Sequence, residues 1–596
     1  MKLKDITSPF YVWQRAFEKT YTTAKPALER IGAHAYRGFH INDIEKCVGC
    51  GTCEEICQNG AIDMVKIAQK ASEKGDSGLV PRFDYGRCCW CALCVDICTT
   101  GSLGMSNEYT WASDDPDSFR FTPGVDQTSW QDSEHGYRRH PEYNLLKLDR
   151  PEMKMLDPDE GLKSFDEVVH GFDHKQAILE ADRCIECEIC VATCPANMDI
   201  PDYIRAVRDQ DFDEGLRILY KTNPFSATCG RICTHKCEDD CTISTFGKPL
   251  AIRWLKRYII DQIPAERFAE ILQDEITENG HQVSIIGAGP GGMSAAYYLR
   301  KKGYGVTVYE AGETGGGMLR YGVPSYRLPD DQLDKDIDYI ISLGVEVKYN
   351  CKIGKDIEFQ QLMDESDAIF IATGLNQPSS MRINGEDHAR VLSGLTVLSD
   401  VASHKDPGVG KNVAVIGGGN VAMDAARVCR RLGADVTVLY RRRIVDMPAD
   451  KEEIKEAIEE HCNFVVQAIP VQIEDADSKE QVTIQWGEAE MVAEPGKRPR
   501  PVLQEDKMHT ETYDSIISAI GQAGDFTFLP QEIADQLNQH WGKFEVDQRQ
   551  RTTVGKIFIG GDIANNVADA ISAIADGKNA AIGIDDFVKH VDTPDM

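Results

Sequence analysis

The sequence predicts an α/β protein with added α+β: two doubly wound, parallel-sheet domains in the second half, preceded by a helical cysteine-rich domain and an amino-terminal cysteine-rich module. Three observations carry that prediction. A buried-strand run, a glycine turn, an alanine-rich helix and a second strand follow one another in HQVSIIGAGPGGMSAAYYLRKKGYGVTVYE, from residue 281. The same order returns in KNVAVIGGGNVAMDAARVCRRLGADVTVLYRR, from residue 411, and two such units read as two doubly wound domains. Third, 17 of the 20 cysteines lie before residue 242 in four dense clusters, and only Cys351, Cys429 and Cys462 follow.

A chain of 596 residues has room for about four domains of ~150 residues, each with its own core. The hydrophobic content of 42% is that of a globular chain, and no stretch approaches the roughly 18 apolar residues of a transmembrane helix. The start, MKLKDITSPF, has no apolar signal region, so the expected location is the cytoplasm. A formal charge of −31 repels phosphate backbones and anionic lipid heads, which argues against nucleic-acid and membrane-surface roles. Clustered cysteines in an unexported chain indicate metal rather than disulfides.

Taken in order, Phe10, Trp13, Phe17 and Tyr21 stand at helical spacing, an amphipathic arm that packs on its own protein or docks a partner. Next come Cys47-x2-Cys50-x2-Cys53-x3-Cys57 and Cys88-x2-Cys91-x2-Cys94-x3-Cys98. Thiolates at this spacing wrap three corners of a cubane [4Fe-4S] cluster while the fourth reaches across to the other cluster. By that rule Cys47, Cys50, Cys53 and Cys98 hold one cluster, and Cys88, Cys91, Cys94 and Cys57 the second. Gln58 and Thr99 stand where proline usually follows the fourth cysteine, and Cys89 reads as a packed neighbour. Structural zinc, the alternative, favours CxxC pairs split by a loop and fits poorly. The segment resembles bacterial two-cluster ferredoxins, and YRGFHINDIEKCVGC is similar to the ferredoxin-like subunit of respiratory complex I.

The polar, turn-rich stretch after residue 110 reads as a long linker. Beyond it Cys184-x2-Cys187-x2-Cys190-x3-Cys194-Pro195 keeps the proline, and Cys229, Cys233, Cys237 and Cys241 recur every four residues in TCGRICTHKCEDDC. These are eight further thiols. Gly230 and the polar run favour irregular backbone there.

From about residue 150 to the end the chain resembles the small subunit of NADPH-dependent glutamate synthase, the NADPH-side half of dihydropyrimidine dehydrogenase and the large subunit of NADH-dependent ferredoxin:NADP oxidoreductase. The matching stretches are SFDEV, EADRCIECEIC, CGRIC, SIIGAGPGG, GGMLRYGVPSYRLP, FIATG, YRRR with MPA, and IFIGGDI. The resemblance implies a helical domain with two [4Fe-4S] clusters whose ligands interleave between the two cysteine runs. Where some relatives complete a cluster with Glu or Gln, this chain has Lys256 and Arg257, which leaves Cys229 as the candidate fourth ligand.

Gly287-x-Gly289-x-x-Gly292 sits between strand and helix. There glycine permits the tight turn, lets pyrophosphate reach the backbone and allows close helix packing, and Glu310 ends the next strand, placed for a ribose hydroxyl. The resemblance implies that FAD binds here, also touching Gly317, Leu319, Arg327, Thr373, Gly374, Gly561, Asp562 and Ala570. Gly417-x-Gly419-x-x-Ala422, with Asn420, opens the second unit, whose second strand ends in VLYRRR without a carboxylate. Arg441 and Arg442 offer charge for a 2′-phosphate, which favours NADP(H), with NAD(H) possible; the alternative is a solvated basic face.

The expected domains are 1–110 ferredoxin-like module with its arm, 111–165 linker, 166–278 helical two-cluster domain, 279–390 first part of the FAD domain, 391–511 NAD(P) domain and 512–596 second part of the FAD domain. The expected function is an iron–sulfur flavoprotein exchanging electrons between NAD(P)H, FAD, four [4Fe-4S] clusters and a ferredoxin or partner oxidoreductase subunit in a hetero-oligomeric complex. The alternative is a glutamate synthase small subunit, and no side chain is singled out as catalytic.

Overall fold

The computed structural model describes residue 13, residues 16–19 and residues 33–592, apart from 74, 128–129, 131–133, 141–144, 246, 479, 494–498 and 541. Phe10 and Tyr21 of the expected arm lie outside the described residues. Two compact units form: residues 1–149 with 185–193 and 239–250, and residues 150–184 with 194–238 and 251–596. The expected helical domain 166–278 is thus divided between them.

In the first unit β1 (His40–Asn42) pairs antiparallel with β4 (Leu103–Met105), His40 opposite Met105. Between them run α1 (Thr52–Glu55), the antiparallel pair β2 (Ile62–Lys66) and β3 (Leu79–Asp84), and α2 (Leu93–Asp96). Then β5 (Arg120–Phe121) adds to β3, with Phe121 opposite Phe83. The core holds Phe39, Phe83, Tyr85, Val95 and Met105, with Trp111, Phe119 and Trp130 packed on it. Trp130 stacks on Phe39 at 4.8 Å. The first part of the expected linker is therefore core: its aromatic rings cover a module too small to bury its own apolar surface.

The second unit opens with helices. α3 (His174–Ala181) starts in a capping box made by Asp173 and Gln176. α4 (Ile200–Asp209) and α5 (Phe212–Thr222) present apolar stripes inward. α6 (Ser226–Ile232) crosses α7 (Ile252–Asp261) at Gly230, where a Cβ would lie 3.0 Å from the Arg257 Cα.

Two parallel sheets follow. The first contains β6 (Gln282–Ile286), β7 (Gly305–Tyr309), β8 (Glu346–Lys348), β9 (Ala368–Ile371) and, much later, β18 (Ile557–Ile559), in the order β8-β7-β6-β9-β18. It is flanked by α8 (Pro290–Lys301) and α9 (Asp330–Ser342). The second contains β10 (Val391–Ser393), β11 (Asn412–Ile416), β12 (Asp435–Tyr440), β13 (Asn463–Val466) and β17 (Ser515–Ser518), in the order β10-β17-β11-β12-β13. Its helices are α11 (Asn420–Arg431) after α10 (Gly394–Ala402), and α12 (Lys451–Glu459). A meander of β14 (Ala468–Asp475), β15 (Val482–Val492) and β16 (Arg500–Tyr513) extends from it. The second domain thus runs past residue 511 through Ser518, because Ile516 and Ile517 fill the place between β10 and β11. The closing helix α13 (Ala570–Asp592) packs on α8, with Gly577 set so close to the Gly291 carbonyl that a Cβ would stand 2.2 Å from it.

Candidate functional site

Each CxxCxxC loop turns through two left-handed residues: Gly49 and Gly51 (φ +64° and +75°), Trp90 and Ala92 (+54° and +69°), Glu186 and Glu188 (+52° and +60°). Four of these six carry a Cβ, which costs roughly 1–2 kcal/mol apiece in this region. The turns aim backbone N–H groups at sulfur. Trp90 N–H donates to Cys88 Sγ at 3.4 Å. Burial pushes the Cys47 and Cys91 thiols up and Cys187 up to about 11, while the N–H groups of Gly49, Leu93 and Ile189 favour the thiolates.

In the first unit a cavity of about 110 Å³ is lined by Cys57, Cys88, Cys91 and Cys94, together with His40 and Phe83. Those four thiols are the set that the crossing rule groups, and Cys89 also lines the cavity. Burial pushes Cys88 up to about 11 and Cys94 well up. Cys47, Cys50, Cys53 and Cys98 form the other group: burial raises Cys47 and Cys53, and mutual repulsion with Cys50 and Cys98 adds to it. Among the described residues no three His, Cys, Asp or Glu side chains converge on a single ion position. Thiols that wrap a cubane need not converge on one atom, and groups of mutually repelling thiolates, Cys47, Cys53, Cys94 and Cys98 among them buried, fit a multi-iron cationic core. Cys89, expected to be packed, is exposed beside Cys91.

Cys187 also belongs to the first unit, its Sγ 2.9 Å from Thr242 Oγ1 and its charge coupled to Cys50 and Cys241. Cys190 lies on the same 185–193 segment, whereas Cys184 ends the 150–184 segment of the second unit. In the second unit Cys194, Cys229, Cys233 and Cys237 surround the Lys256 ammonium, a residue only 4% exposed. Burial alone would lower Lys256, but the four thiols outweigh it. Lys256 in turn offsets the burial that raises Cys229, Cys233 and Cys237. Cys229 is therefore grouped with three other thiols, and Lys256 is their counter-charge.

Asp336 of α9 anchors the helix carrying Cys229. Its carboxylate accepts from the Ala227 and Thr228 N–H groups at 3.2 and 2.8 Å and from the Tyr220 hydroxyl. Nothing local in the sequence marks Asp336, because its partners lie more than a hundred residues upstream.

The carboxyl ends of the two parallel sheets carry the glycine turns. A Cβ on Gly287 (φ +105°) would meet the Ala372 carbonyl at 2.6 Å, and one on Gly292 would stand 1.9 Å from the Gly287 carbonyl. Gly289 caps α8, and Gly317 (φ +54°) approaches within 3.1 Å of the Gly289 Cα in the same sense. The Glu310 carboxylate accepts from Ala288 N–H at 2.8 Å and from Gly312 N–H at 2.7 Å, holding the turn. Thr373 Oγ1 is buried without a partner among the described residues, beside Gly374, whose pro-Cβ space is open. Gly561 N–H donates to Asp576 at 3.0 Å. Burial pushes Asp562 up to about 6, Lys543 opposing and Asp569 and Asp576 adding. A glycine cradle and an orphaned hydroxyl at the strand ends fit a dinucleotide.

A cavity of about 970 Å³ runs from this edge to the second sheet. Leu319, Arg327, Asp562 and Ala570 line one side, and Gly417, Gly419, Asn420, Arg441 and Arg442 the other. Gly417 (φ +151°) lies where a Cβ would be 2.3 Å from the Ala519 carbonyl, and Ala422 is fully buried beneath it. Asn420 Oδ1 accepts from Asp450 N–H at 2.9 Å, and Arg442 Nε donates to the Pro499 carbonyl at 3.2 Å. Arg327, expected at a cofactor, spends its guanidinium on Asp424 (2.7 and 2.8 Å) and Glu453 (2.8 Å), tying the two nucleotide domains together.

Two further lining residues went unread in the sequence. Ile232 and Thr234, which flank Cys233, reach this same cavity. Thr234 Oγ1 donates to Asp569 at 3.0 Å and Lys236 pairs with Asp569 at 2.9 Å, fixing the cysteine loop to the cavity wall.

Residues 281–577 match the pyridine nucleotide-disulphide oxidoreductase family, residues 161–268 the dihydropyrimidine dehydrogenase domain II 4Fe-4S cluster family, and residues 46–102 the 4Fe-4S dicluster domain. The glutamate synthase [NADPH] small chain of Azospirillum brasilense is 30% identical over 456 residues, 72% of this chain and 92% of that one. The chain belongs to the glutamate synthase small-chain family. It is an iron–sulfur flavoprotein oxidoreductase, with a nucleotide-binding oxidoreductase domain and 4Fe-4S domains. The NADP(+)-dependent formate dehydrogenase subunit beta of Moorella thermoacetica is 37% identical over 431 residues, 67% of this chain and 60% of that one. The NADPH-Fe(3+) oxidoreductase subunit beta of Geobacter sulfurreducens is 38% identical over 360 residues, 59% of this chain and 53% of that one. The chain thus spans somewhat over half the length of these two relatives. No helix among the described residues is long and apolar enough to cross a membrane.

Proposed function

We propose that the chain is the NADPH-side electron-transfer subunit of a larger oxidoreductase. It would connect NADPH, one FAD and four [4Fe-4S] clusters to a ferredoxin or a partner redox subunit. The observation that carries this reading is the cavity that extends from Pro290, Leu319 and Asp562, beside the first glycine turn, to the Gly417 turn and to the residues flanking Cys233. Bound FAD would supply the chemistry that takes hydride from a nicotinamide and releases electrons one at a time. The chain's own work is placement. Glu310 and the Gly287 turn would orient the flavin nucleotide, Arg441 and Arg442 would select a 2′-phosphate, and the Thr234–Asp569 contact would hold the Cys233 loop at the flavin side.

The ligand sets supported by the grouping of thiols are Cys47, Cys50, Cys53 and Cys98; Cys57, Cys88, Cys91 and Cys94; and Cys194, Cys229, Cys233 and Cys237. Cys184, Cys187, Cys190 and Cys241 are the remaining candidate ligands. That relatives are named as subunits supports a hetero-oligomer. A glutamate synthase small chain is the second reading, favoured by the 92% coverage of that relative, but it leaves the dicluster segment 46–102 without a role. The deciding experiment is anaerobic copurification from the native host: a ferredoxin or redox partner supports the proposal, and a glutamate-forming large subunit supports the second reading.

A further inference from the structure

The amino-terminal cavity is lined by three polar side chains besides its thiols, Gln58, Asn59 and the imidazole of His40. His40, 1% exposed, lines it together with Cys57, Cys88, Cys91 and Cys94. Its Nε2 lies 3.4 Å from Cys94 Sγ, within reach of an N–H to sulfur hydrogen bond.

Ring stacking and two backbone hydrogen bonds hold the residue there. It stacks on Phe83 at 3.9 Å with the planes 18° apart. The His40 backbone N–H donates to the Tyr85 hydroxyl at 2.9 Å, and the His40 backbone carbonyl accepts from Trp130 Nε1 at 2.9 Å. Nδ1 is buried with no partner among the described residues. A neutral imidazole has one N–H, and the thiolate is the acceptor on offer, so the proton is assigned to Nε2.

A packing role would be met by phenylalanine, which would stack on Phe83 and leave no buried nitrogen unpaired. Keeping a polar ring at this point costs desolvation that only its contact with sulfur offsets.

Resting on the reading of Cys57, Cys88, Cys91 and Cys94 as cluster ligands, we propose that His40 is a positioning residue that donates from Nε2 to Cys94 and thereby raises the reduction potential of that cluster. A hydrogen bond to the thiolate withdraws charge from the ligand and stabilises the reduced, more negative cluster over the oxidised one.

The test uses the full-length protein, purified anaerobically as wild type, His40→Phe and His40→Gln, with iron counted and clusters titrated by EPR-monitored potentiometry. His40→Phe should keep its iron while one cluster becomes about tenfold less reduced at a fixed solution potential, a drop of 59 mV for one electron. His40→Gln, whose side-chain amide can donate from nearly the same place, should recover most of that drop. Unchanged potentials in His40→Phe at full iron, or equal drops in both variants, overturn the proposal. Should His40→Phe lose iron, pulsed EPR on reduced wild type grown with ring-¹⁵N histidine decides: a ¹⁵N coupling to a cluster supports the contact and its absence refutes it. Loss of iron from wild type would indict the ligand reading instead.

Discussion

Removing the Asp336 carboxylate should empty one central cluster while sparing the flavin site. The side chain is fully buried and accepts three hydrogen bonds, from Ala227 N–H, Thr228 N–H and the Tyr220 hydroxyl. Hydrogen bonds to a charged group contribute about 1.5–3 kcal/mol each. Against them stands desolvation, which lifts the carboxyl from 3.8 to about 6 despite those donors. That shift of roughly two units is about 3 kcal/mol in favour of the neutral form. Asp336→Ala strands three buried donors and leaves a void, for a loss of about 3–5 kcal/mol. Asp336→Asn relieves the ionisation cost but turns an amide N–H toward a backbone N–H, for about 1–2 kcal/mol. Because the freed N–H groups begin the helix carrying Cys229, the first turn should fray and the cluster at Cys194, Cys229, Cys233 and Cys237 should go. Iron and flavin analysis with thermal melting is the assay: the alanine variant should lose about four iron per chain and keep FAD. A raised carboxyl costs stability above its folded pKa, so wild type should gain stability as pH falls through about 6 toward 3.8, and the asparagine variant should lack that gain. An alanine variant with full iron and an unchanged melting temperature would refute the reasoning.

Other outcomes follow from the same geometry. Glu310→Gln weakens the acceptor of the Ala288 and Gly312 N–H groups and should raise the Kd for FAD about tenfold, roughly 1.4 kcal/mol; titration of deflavinated protein checks it, and an unchanged Kd speaks against a flavin at this turn. Arg441→Ala with Arg442→Ala should weaken NADPH by about 1–3 kcal/mol more than NADH, read as the ratio of kcat/KM values; a wild type that prefers NADH contradicts the assignment. Cys91→Ser with Cys94→Ser should abolish transfer to ferredoxin or the partner while NADPH still bleaches the flavin. Substitution is the cleaner perturbation, because residues 185–193 and 239–250 fold into the same unit as 1–149 and excising 1–110 would strip their support. Transfer at the full rate would mean that electrons leave elsewhere.

Much of this molecule is local in sequence and therefore legible. A cysteine run carries its loop within ten residues, and a glycine turn carries its strand and helix within thirty, so the left-handed CxxCxxC loops and both parallel sheets lie in segments that spacing and periodicity mark. What escaped was long-range. Ser515–Ser518 joins the second sheet between strands that begin more than a hundred residues earlier, and a four-residue apolar run carries no label for its sheet. Trp111 and Trp130 lie in polar, turn-rich sequence, yet they cap the amino-terminal core, since single aromatics leave no period. The pairing of Arg327 with Asp424, and of Asp336 with a distant helix start, is likewise set by tertiary placement. Lys256 could be seen to break a family pattern, but its place among four thiols emerges only when α6 and α7 cross at Gly230.

The most direct test of the account is the metal and flavin content of anaerobically purified chain, measured together with acid-labile sulfide. The chain should hold about sixteen iron, about sixteen sulfide and one FAD, whereas zinc in place of iron, or iron near eight with the amino-terminal thiols alkylatable in the native protein, would contradict the four-cluster reading.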